Sequence, residues 1–382
     1  MMRDAVIVEA LRTPIGKRNG GLSGIHPTDL SAQVLTALVD RTGIDPAIVD
    51  DVIWGCVSQV GEQTYDIARN AVLAAGWPDT VPGVTVDRQC GSSQQSVHFA
   101  AAGLIAGHYD VVVAGGVESM SRVPMTSSLA GQNPYGPLFT QRYNTFPNQG
   151  VGAEMMAQRW GISRRQLDEY ALASHERAAT AQDDGRFDAQ IVPVTGPAGS
   201  VIARDEGIRR GGSLDTLGGL KAVFQPDGGV VTAGNSSQIS DGASVLLMTT
   251  SEKAAELGLR PIVRVHTAVL AGADPVIMLT APIPATQKAL LRSGLRIDEI
   301  GAFEVNEAFA AVPIAWLTDV GADPKTLNPN GGAIALGHPL GASGARLMTT
   351  LVHHMRDDGI RYGLQTMCEG GGQANATILE LL

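Results

Sequence analysis

Asp51-Val52-Ile53-Trp54, Ile67 to Ala75, Val84-Thr85-Val86, Val97 to Ala106 and Val111-Val112-Val113-Ala114 follow one another within 51–114, and this stretch decides the fold. The first, third and fifth pieces are β-branched runs of strand length. The second and fourth are alanine-rich, and in the fourth Val97, Ala100, Ala101, Leu104 and Ile105 fall on one helical face. Strands buried on both faces read as continuous apolar runs, and their alternation with helices is the α/β signature. Upstream, Ala5-Val6-Ile7-Val8 reads as a first strand. Downstream the same grammar returns with Ile262-Val263-Arg264-Val265, a helix over Thr286 to Ser293, Gly301-Ala302-Phe303-Glu304-Val305, and helices over Asn306 to Leu317 and Ser343 to Met355. Two α/β halves are expected, 1–119 and 246–382. Between them 120–245 is richer in Pro, Gly, Asn and charge, punctuated by Pro134-Tyr135-Gly136-Pro137 and Gly196-Pro197-Ala198-Gly199, and reads as an insertion. Each half carries a strand, a glycine-rich break and an alanine-rich helix, so the halves read as a duplication.

The chain has 382 residues, 44% of them hydrophobic, enough for one large core or two fused ones. With 28 Lys+Arg against 38 Asp+Glu, the net charge of −10 argues against a nucleic-acid partner or a polybasic membrane surface. An anionic substrate therefore needs local basic residues. Three cysteines, Cys56, Cys90 and Cys368, make no disulfide framework and fit a reducing compartment. The first apolar run is too short for a membrane span or a signal segment, and the end Glu380-Leu381-Leu382 carries no lipidation or retention signal. A cytoplasmic protein is expected.

Cys90 follows the strand Val84-Thr85-Val86 and opens a helix. Free amide groups and the positive dipole end at such a junction favour thiolate, the form that attacks carbonyls. In Asn330-Gly331-Gly332-Ala333-Ile334-Ala335-Leu336-Gly337-His338-Pro339, glycines let a ligand approach the backbone and Pro339 suits a first helical turn, so His338 is presented to a site. His98, His108, His175, His353 and His354 sit in or beside helical patterns and read as structural. Thr366-Met367-Cys368-Glu369-Gly370-Gly371-Gly372 places a cysteine at a strand end before a run whose N–H groups can hold an oxyanion; Cys368 suits acid–base work if its pKa is tuned. Asn306-Glu307-Ala308-Phe309, at another strand-to-helix junction, can position a water or carbonyl through Asn306.

Asp87-Arg88-Gln89-Cys90-Gly91-Ser92, the Asn306 tetrad, Gly331 to Pro339 and Cys368 before Gly370-Gly371-Gly372 resemble, in order and spacing, the four signature regions of thiolases. The resemblance runs from Arg12-Thr13-Pro14-Ile15-Gly16 to the last strand. It implies two βαβαβαββ halves in a five-layered αβαβα core, an inserted loop domain that binds coenzyme A, and a homodimer or homotetramer. It also implies acyl transfer through Cys90, with His338 activating the thiol and, with a water held by Asn306, binding the thioester oxygen. Cys368 would move the acetyl α-proton, and the N–H groups of Cys90 and Gly370 would form an oxyanion hole. Acyl-CoA and coenzyme A enter as substrates, with no resident cofactor and no metal. Arg209, in Asp205-Glu206-Gly207-Ile208-Arg209, and Thr216 resemble contacts to the nucleotide end. Phe224, Ala233 and Ser237 in Ala233-Gly234-Asn235-Ser236-Ser237, Met278 and Phe309 resemble a pantetheine tunnel.

Three departures from the family stand out. Asp87 replaces a usual asparagine, Glu369 and Gln373-Ala374-Asn375 alter the surroundings of the glycine run, and Pro147-Asn148-Gln149-Gly150 replaces a His-Met stretch of short-chain enzymes. Gly16-Lys17-Arg18-Asn19-Gly20, Gly61-Glu62-Gln63 and Ser236-Ser237-Gln238-Ile239-Ser240 look more like degradative thiolases acting on bulky, including steroid-derived, chains. The alternatives are a biosynthetic acetoacetyl-CoA acetyltransferase, a decarboxylating ketosynthase, which normally lacks a second cysteine before a glycine run, and a non-catalytic CoA or lipid binder, which would have lost Cys90, His338 or Cys368. A zinc site lacks a close Cys–Cys or Cys–His pair.

Overall fold

The computed structural model describes residues 3–143 and 148–382. The first half runs β1 (Val6–Arg12), α1 (Pro27–Thr42), β2 (Asp51–Gly55), α2 (Ile67–Ala74), β3 (Gly83–Val86), α3 (Ser92–Ala106) and β4 (Val111–Ser119). The intervening segment carries α4 (Gln149–Trp160) and α5 (Arg164–Asp183), and the chain returns as β5 (Ser240–Thr249). The second half runs β6 (Val263–Gly272), α6 (Pro282–Ser293), β7 (Ala302–Val305), α7 (Ala311–Val320), α8 (Leu340–Asp358), β8 (Tyr362–Glu369) and β9 (Gln373–Leu381).

Strand pairing reveals the duplication. In the first half β2 is parallel to β3 and β4, β4 is antiparallel to β5, and β5 is antiparallel to β1. In the second, β7 makes a parallel bridge through Phe303 to Leu327, β7 is parallel to β8, β8 antiparallel to β9, and β9 antiparallel to β6. The pattern is the same, with one strand of the second half reduced to a bridge. The two sheets join at a corner where Val6 pairs with Arg264 and Ile7 with Val263.

Three apolar cores separate five layers. Leu30, Leu35, Trp54, Val113 and Leu247 fill the space under α1 and α2. Ile7, Leu104, Val112, Met348 and Leu351 surround α3 and α8 between the sheets. Phe303, Trp316, Leu364 and Ile378 lie under α6 and α7, with Met156 and Leu167 of the insertion joining them. This is the expected αβαβα core. Truncating a fully buried leucine in such a core costs about 2–5 kcal/mol, so each layer contact is a large share of the net stability.

Small residues bring the two middle helices together. A Cβ added at Gly344 would stand 2.3 Å from the Gln94 amide nitrogen. Ala345 N–H donates to Ser93 Oγ at 2.9 Å. The first turns of α3 and α8 therefore touch, and the loops that lead into them, holding Cys90 and His338, meet at one end of the molecule.

The expected boundary at 245 falls inside β5, which pairs with β4 and β1 and so belongs to the first sheet. The insertion is anchored by Asp205, whose carboxylate takes two bonds from the Arg12 guanidinium, at 2.7 and 2.9 Å, with neither side chain exposed. It also accepts Ile15 N–H at 2.8 Å. The helix expected from Asn306 begins only at Ala311. Residues of the insertion claim the preceding backbone: Ala310 N–H donates to Asn235 O at 2.9 Å and Ser237 N–H to Ala308 O at 2.9 Å, leaving 306–310 outside the helix with Phe309 bridged to Ser236 of the insertion.

Candidate active site

Cys90 sits on a strained turn. Gln89, immediately before it, has φ 48°, a left-handed conformation disfavoured for a residue with a Cβ. Asp87 Oδ1 accepts Gln89 N–H at 2.7 Å, and Ser92 Oγ accepts Arg88 N–H at 2.9 Å while donating to Gln89 O at 2.6 Å. These bonds hold the turn and present Cys90 partly exposed, two residues before α3 starts at Ser92. The environment reverses the expectation of a ready thiolate. Burial, with Cys368 and the Glu369 and Glu118 carboxyls nearby, pushes the Cys90 thiol well above its ordinary value. The resting form is a thiol that needs a base.

His338 is that kind of group. Ser343 Oγ spends its hydrogen on Pro339 O at 2.8 Å and lies 2.6 Å from His338 Nδ1, so Nδ1 carries the proton and donates to it. The lone pair is thus on Nε2, 3.3 Å from the Asn306 amide nitrogen, which donates to it. Burial, reinforced by the Arg346 guanidinium, lowers the His338 pKa to about 3, so the ring is neutral at physiological pH. His338 N–H donates to Ser240 Oγ and Gln238 O, both at 3.2 Å, which fixes the loop.

Cys368 is the last residue but one of β8 and is 1% exposed. Burial pushes its pKa up to about 12, which makes its thiolate a strong base. The turn that follows lies against the Cys90 turn: a Cβ at Gly370 would stand 2.8 Å from Gln89 Oε1. The loops bearing Cys90, His338 and Cys368 therefore converge, and Asn306 joins them through His338.

Two residues that organise this convergence escaped the sequence reading. Glu118, at the end of β4, accepts from Val57 N–H at 2.9 Å, Ser58 N–H at 3.1 Å, Gly341 N–H at 2.8 Å and the Gln63 amide at 2.7 Å. It ties the first turn of α8 to the ends of β2 and β4. Ser343 reads as one more small helical residue, and its distance from His338 in sequence gives no signal of contact. Glu307, of the singled-out tetrad, accepts from Tyr170 at 2.9 Å, Ser174 at 2.6 Å and Asn328 at 3.0 Å, and so docks α5 beside Asn306.

Of the residues expected to meet coenzyme A, Phe224, Met278 and Phe309 share one apolar cluster with Cys368. Phe224 meets Phe309 edge-on with ring centres 6.0 Å apart. Ser237 is tied to Ala308 beside them, whereas Ala233 is exposed on the flanking loop. Arg209 and Thr216 are exposed and lie along α5: Arg209 N–H donates to His175 Nδ1 at 3.1 Å, and the turn bearing Thr216 is held by Arg164 through Leu217 O. The structure places neither of these two in the Phe224 cluster. The Pro147-Asn148-Gln149-Gly150 departure begins at Pro147, which lies outside the described residues; Asn148 caps α4, accepting from Gly150 and Val151 N–H. Among the described residues no helix is long and apolar enough to cross a membrane, and no group of three His, Cys, Asp or Glu is placed to hold a metal.

Family comparison accords with this geometry. The thiolase N-terminal domain model matches residues 5–252 and the thiolase C-terminal domain model residues 259–381. The chain is 49% identical to a steroid 3-ketoacyl-CoA thiolase, FadA6, of Mycobacterium tuberculosis, over 100% of this chain and 95% of that one. It is 46% identical to a 3-ketoacyl-CoA thiolase of Pseudoalteromonas translucida, over 99% of both. Its fold superposes on the crystal structure of the Bacillus anthracis acetyl-CoA acetyltransferase with a TM-score of 0.92 at 38% identity, covering 100% of this chain and 99% of the other. The chain belongs to the thiolase family. It is accordingly an acyltransferase that takes coenzyme A thioesters as substrates.

Proposed function

We propose that the chain works in the degradative direction, cleaving a 3-oxoacyl-CoA with coenzyme A into acetyl-CoA and a shortened acyl-CoA. What supports this reading is the meeting of the Cys90 and Cys368 turns at the end of the molecule where the His338 loop leads into α8, together with the likeness to 3-ketoacyl-CoA thiolases. Cys90 Sγ attacks the 3-oxo carbon as its proton passes to His338 Nε2. The bond between C2 and C3 breaks, and the C2 carbanion takes the Cys368 proton to become acetyl-CoA. The incoming coenzyme A thiol gives its proton to the Cys368 thiolate and attacks the acyl–Cys90 carbonyl. Cys90 leaves and recovers its proton from His338. Cys90 and Gly370 N–H groups serve the oxyanion, and the Asn306 amide holds a water or the thioester oxygen beside Nε2. Phe224, Ala233, Ser237, Met278 and Phe309 line the pantetheine path, with Arg209 and Thr216 at the nucleotide end. In this reading 1–119 with β5 (240–249), the insertion 120–239, and 250–382 are the three working parts, in a cytoplasmic homodimer or homotetramer.

Replacing Ser343 with Ala removes the acceptor that fixes the His338 tautomer. We expect kcat for thiolysis to fall by about tenfold or more, a fraction of the 10²–10⁴ that a positioned base contributes. A Ser343→Ala enzyme with unchanged kcat would show that the ring is oriented by other contacts.

The bulky-chain reading rests on the sequence departures and on the likeness to a steroid-type enzyme. A hydrophobic pocket gains about 1–3 kcal/mol per methylene at best, so a fitted tunnel should raise kcat/KM at least about tenfold over several added carbons. Thiolysis measured on 3-oxo substrates from four carbons to steroid size tests this. A steady fall from acetoacetyl-CoA onward would leave a short-chain acetyltransferase.

A further inference from the structure

Glu369 is the buried ionisable group nearest the cysteines for which the chemistry above finds no use. It follows Cys368 directly and is 1% exposed, and neither carboxyl oxygen makes a well-formed hydrogen bond, the Asn375 backbone N–H being the donor beside it. Its Oε1 packs against the backbone of the residue after Cys90: a Cβ at Gly91 would stand 2.0 Å from it, so a side chain there would have to displace the carboxyl. Around this contact two more buried atoms are unpartnered, Arg88 Nε and Asn375 Oδ1. Arg88 itself is turned to Gln373 Oε1 at 3.0 Å, and Asn375 gives its amide to Gly91 O at 3.1 Å. The carboxyl is thus held between the two cysteine-bearing turns, with the Arg88 cation as the charged neighbour that favours its ionised form.

We propose that Glu369 is a positioning residue that governs the ionisation of Cys90 and Cys368 through its own charge, kept neutral in the working enzyme and switched on at alkaline pH. A carboxylate formed there lies beside both places where the reaction builds negative charge, the Cys90 thiolate with its oxyanion and the Cys368 thiolate. Like charges in a low-dielectric site oppose one another strongly. The close backbone at Gly91 and the scarcity of donors suit the neutral acid, since Glu118 gathers four donors where Glu369 has only the Asn375 backbone N–H beside it. Burial raises the Glu369 pKa to about 8 against the lowering effects of Arg88 and the Asn375 backbone N–H, which places the switch just above neutrality. The sign follows: below that pH the acid is protonated and inert, and above it the charge disfavours thiolate at both cysteines. The groups facing it are Arg88 and Cys90 from the turn before α3, Cys368 from β8, and the uncharged Gln373 and Asn375 from β9.

This inference rests on Cys90 and Cys368 being the reactive thiols, and its test reads their ionisation directly. The rate of iodoacetamide alkylation at each cysteine is followed from pH 6 to 10 by peptide mass spectrometry in wild type, Glu369→Gln and Arg88→Gln. At pH 9 Cys90 should react about three- to tenfold faster in Glu369→Gln than in wild type, since one unit of thiol pKa is a tenfold change in thiolate. The alkaline fall of wild-type kcat/KM should move at least about one pH unit upward in the same variant. Arg88→Gln, which removes the cation, should shift the wild-type break upward and keeps the test open if Glu369→Gln folds poorly. Superimposable alkylation profiles in wild type and either folded variant would overturn the proposal. Loss of the catalytic reading itself shows elsewhere, in whether Cys90 becomes acylated.

Discussion

Cys90→Ser is expected to abolish thiolysis and condensation together, by at least about a thousandfold, with the fold unchanged. The burial and neighbouring carboxyls that push the Cys90 thiol up act on a serine hydroxyl as well, and that hydroxyl starts far less acidic. His338, neutral with its lone pair on Nε2, can take the proton only as the nucleophile bonds to carbon, and a hydroxyl, less acidic than a thiol, makes that transfer harder still. Serine is smaller than cysteine by little, so the α3 turn and the contacts of Ser92 and Asp87 remain. Intact-protein mass spectrometry after addition of acetyl-CoA should show one acetyl adduct in wild type and none in the variant, with identical thermal melting. An adduct on the variant would move the nucleophile to another residue.

Cys368→Ala should separate the two halves of the reaction. The acyl adduct on Cys90 should still form from acetyl-CoA, because a coenzyme A thiolate can leave without the proton that Cys368 would give it, but turnover should fall by about 10²–10⁴ because the α-carbon loses its proton carrier. The high pKa of Cys368, about 12, suits the task, since a weakly acidic thiol gives a thiolate strong enough to take a proton from a carbon acid. Deuterium exchange from solvent into the methyl group of acetyl-CoA reads this step alone. Exchange at the wild-type rate in the variant would assign the base elsewhere, with His338 the next group to test.

Apolar period made the layers legible: the strand runs at 51–54 and 111–114 and the helix face of Val97, Ala100, Ala101 and Leu104 lie where the pattern puts them, while Ile105, read onto the same face, is 52% exposed near the end of α3. The turns bearing Cys90, His338 and Cys368 are legible too, because glycine and a strand end leave a local imprint. Contacts between distant segments leave none. Nothing near Asn306 announces that Asn235 and Ser237 take the backbone bonds a helix would use, which delays α7 to Ala311. The dipole of α3 acts on Cys90 from one element only, whereas the thiol also faces Cys368, Glu369 and Glu118 from other strands. Likewise the Ser343 contact depends on how the chain turns at Pro339.

The strand order has a consequence for how the chain is made. β1 is complete at Arg12, yet its partner β5 begins only at Ser240, and its corner contact with β6 comes later still. At typical synthesis rates of about 5–20 residues per second, the first strand waits on the order of ten seconds or more for the edge it will pair with. During that time Val6, Ile7 and Leu11, all fully buried in the finished protein, have no sheet to join. The parallel unit of β2, β3 and β4 can assemble around α2 and α3 while it waits, but β4 too must leave one edge open until the insertion has emerged. The long detour through the insertion thus sets the moment at which the nascent chain becomes closed, and an exposed strand edge until then is a template for pairing with another chain. Holdase chaperones should find their binding segment on this chain in β1 and β4.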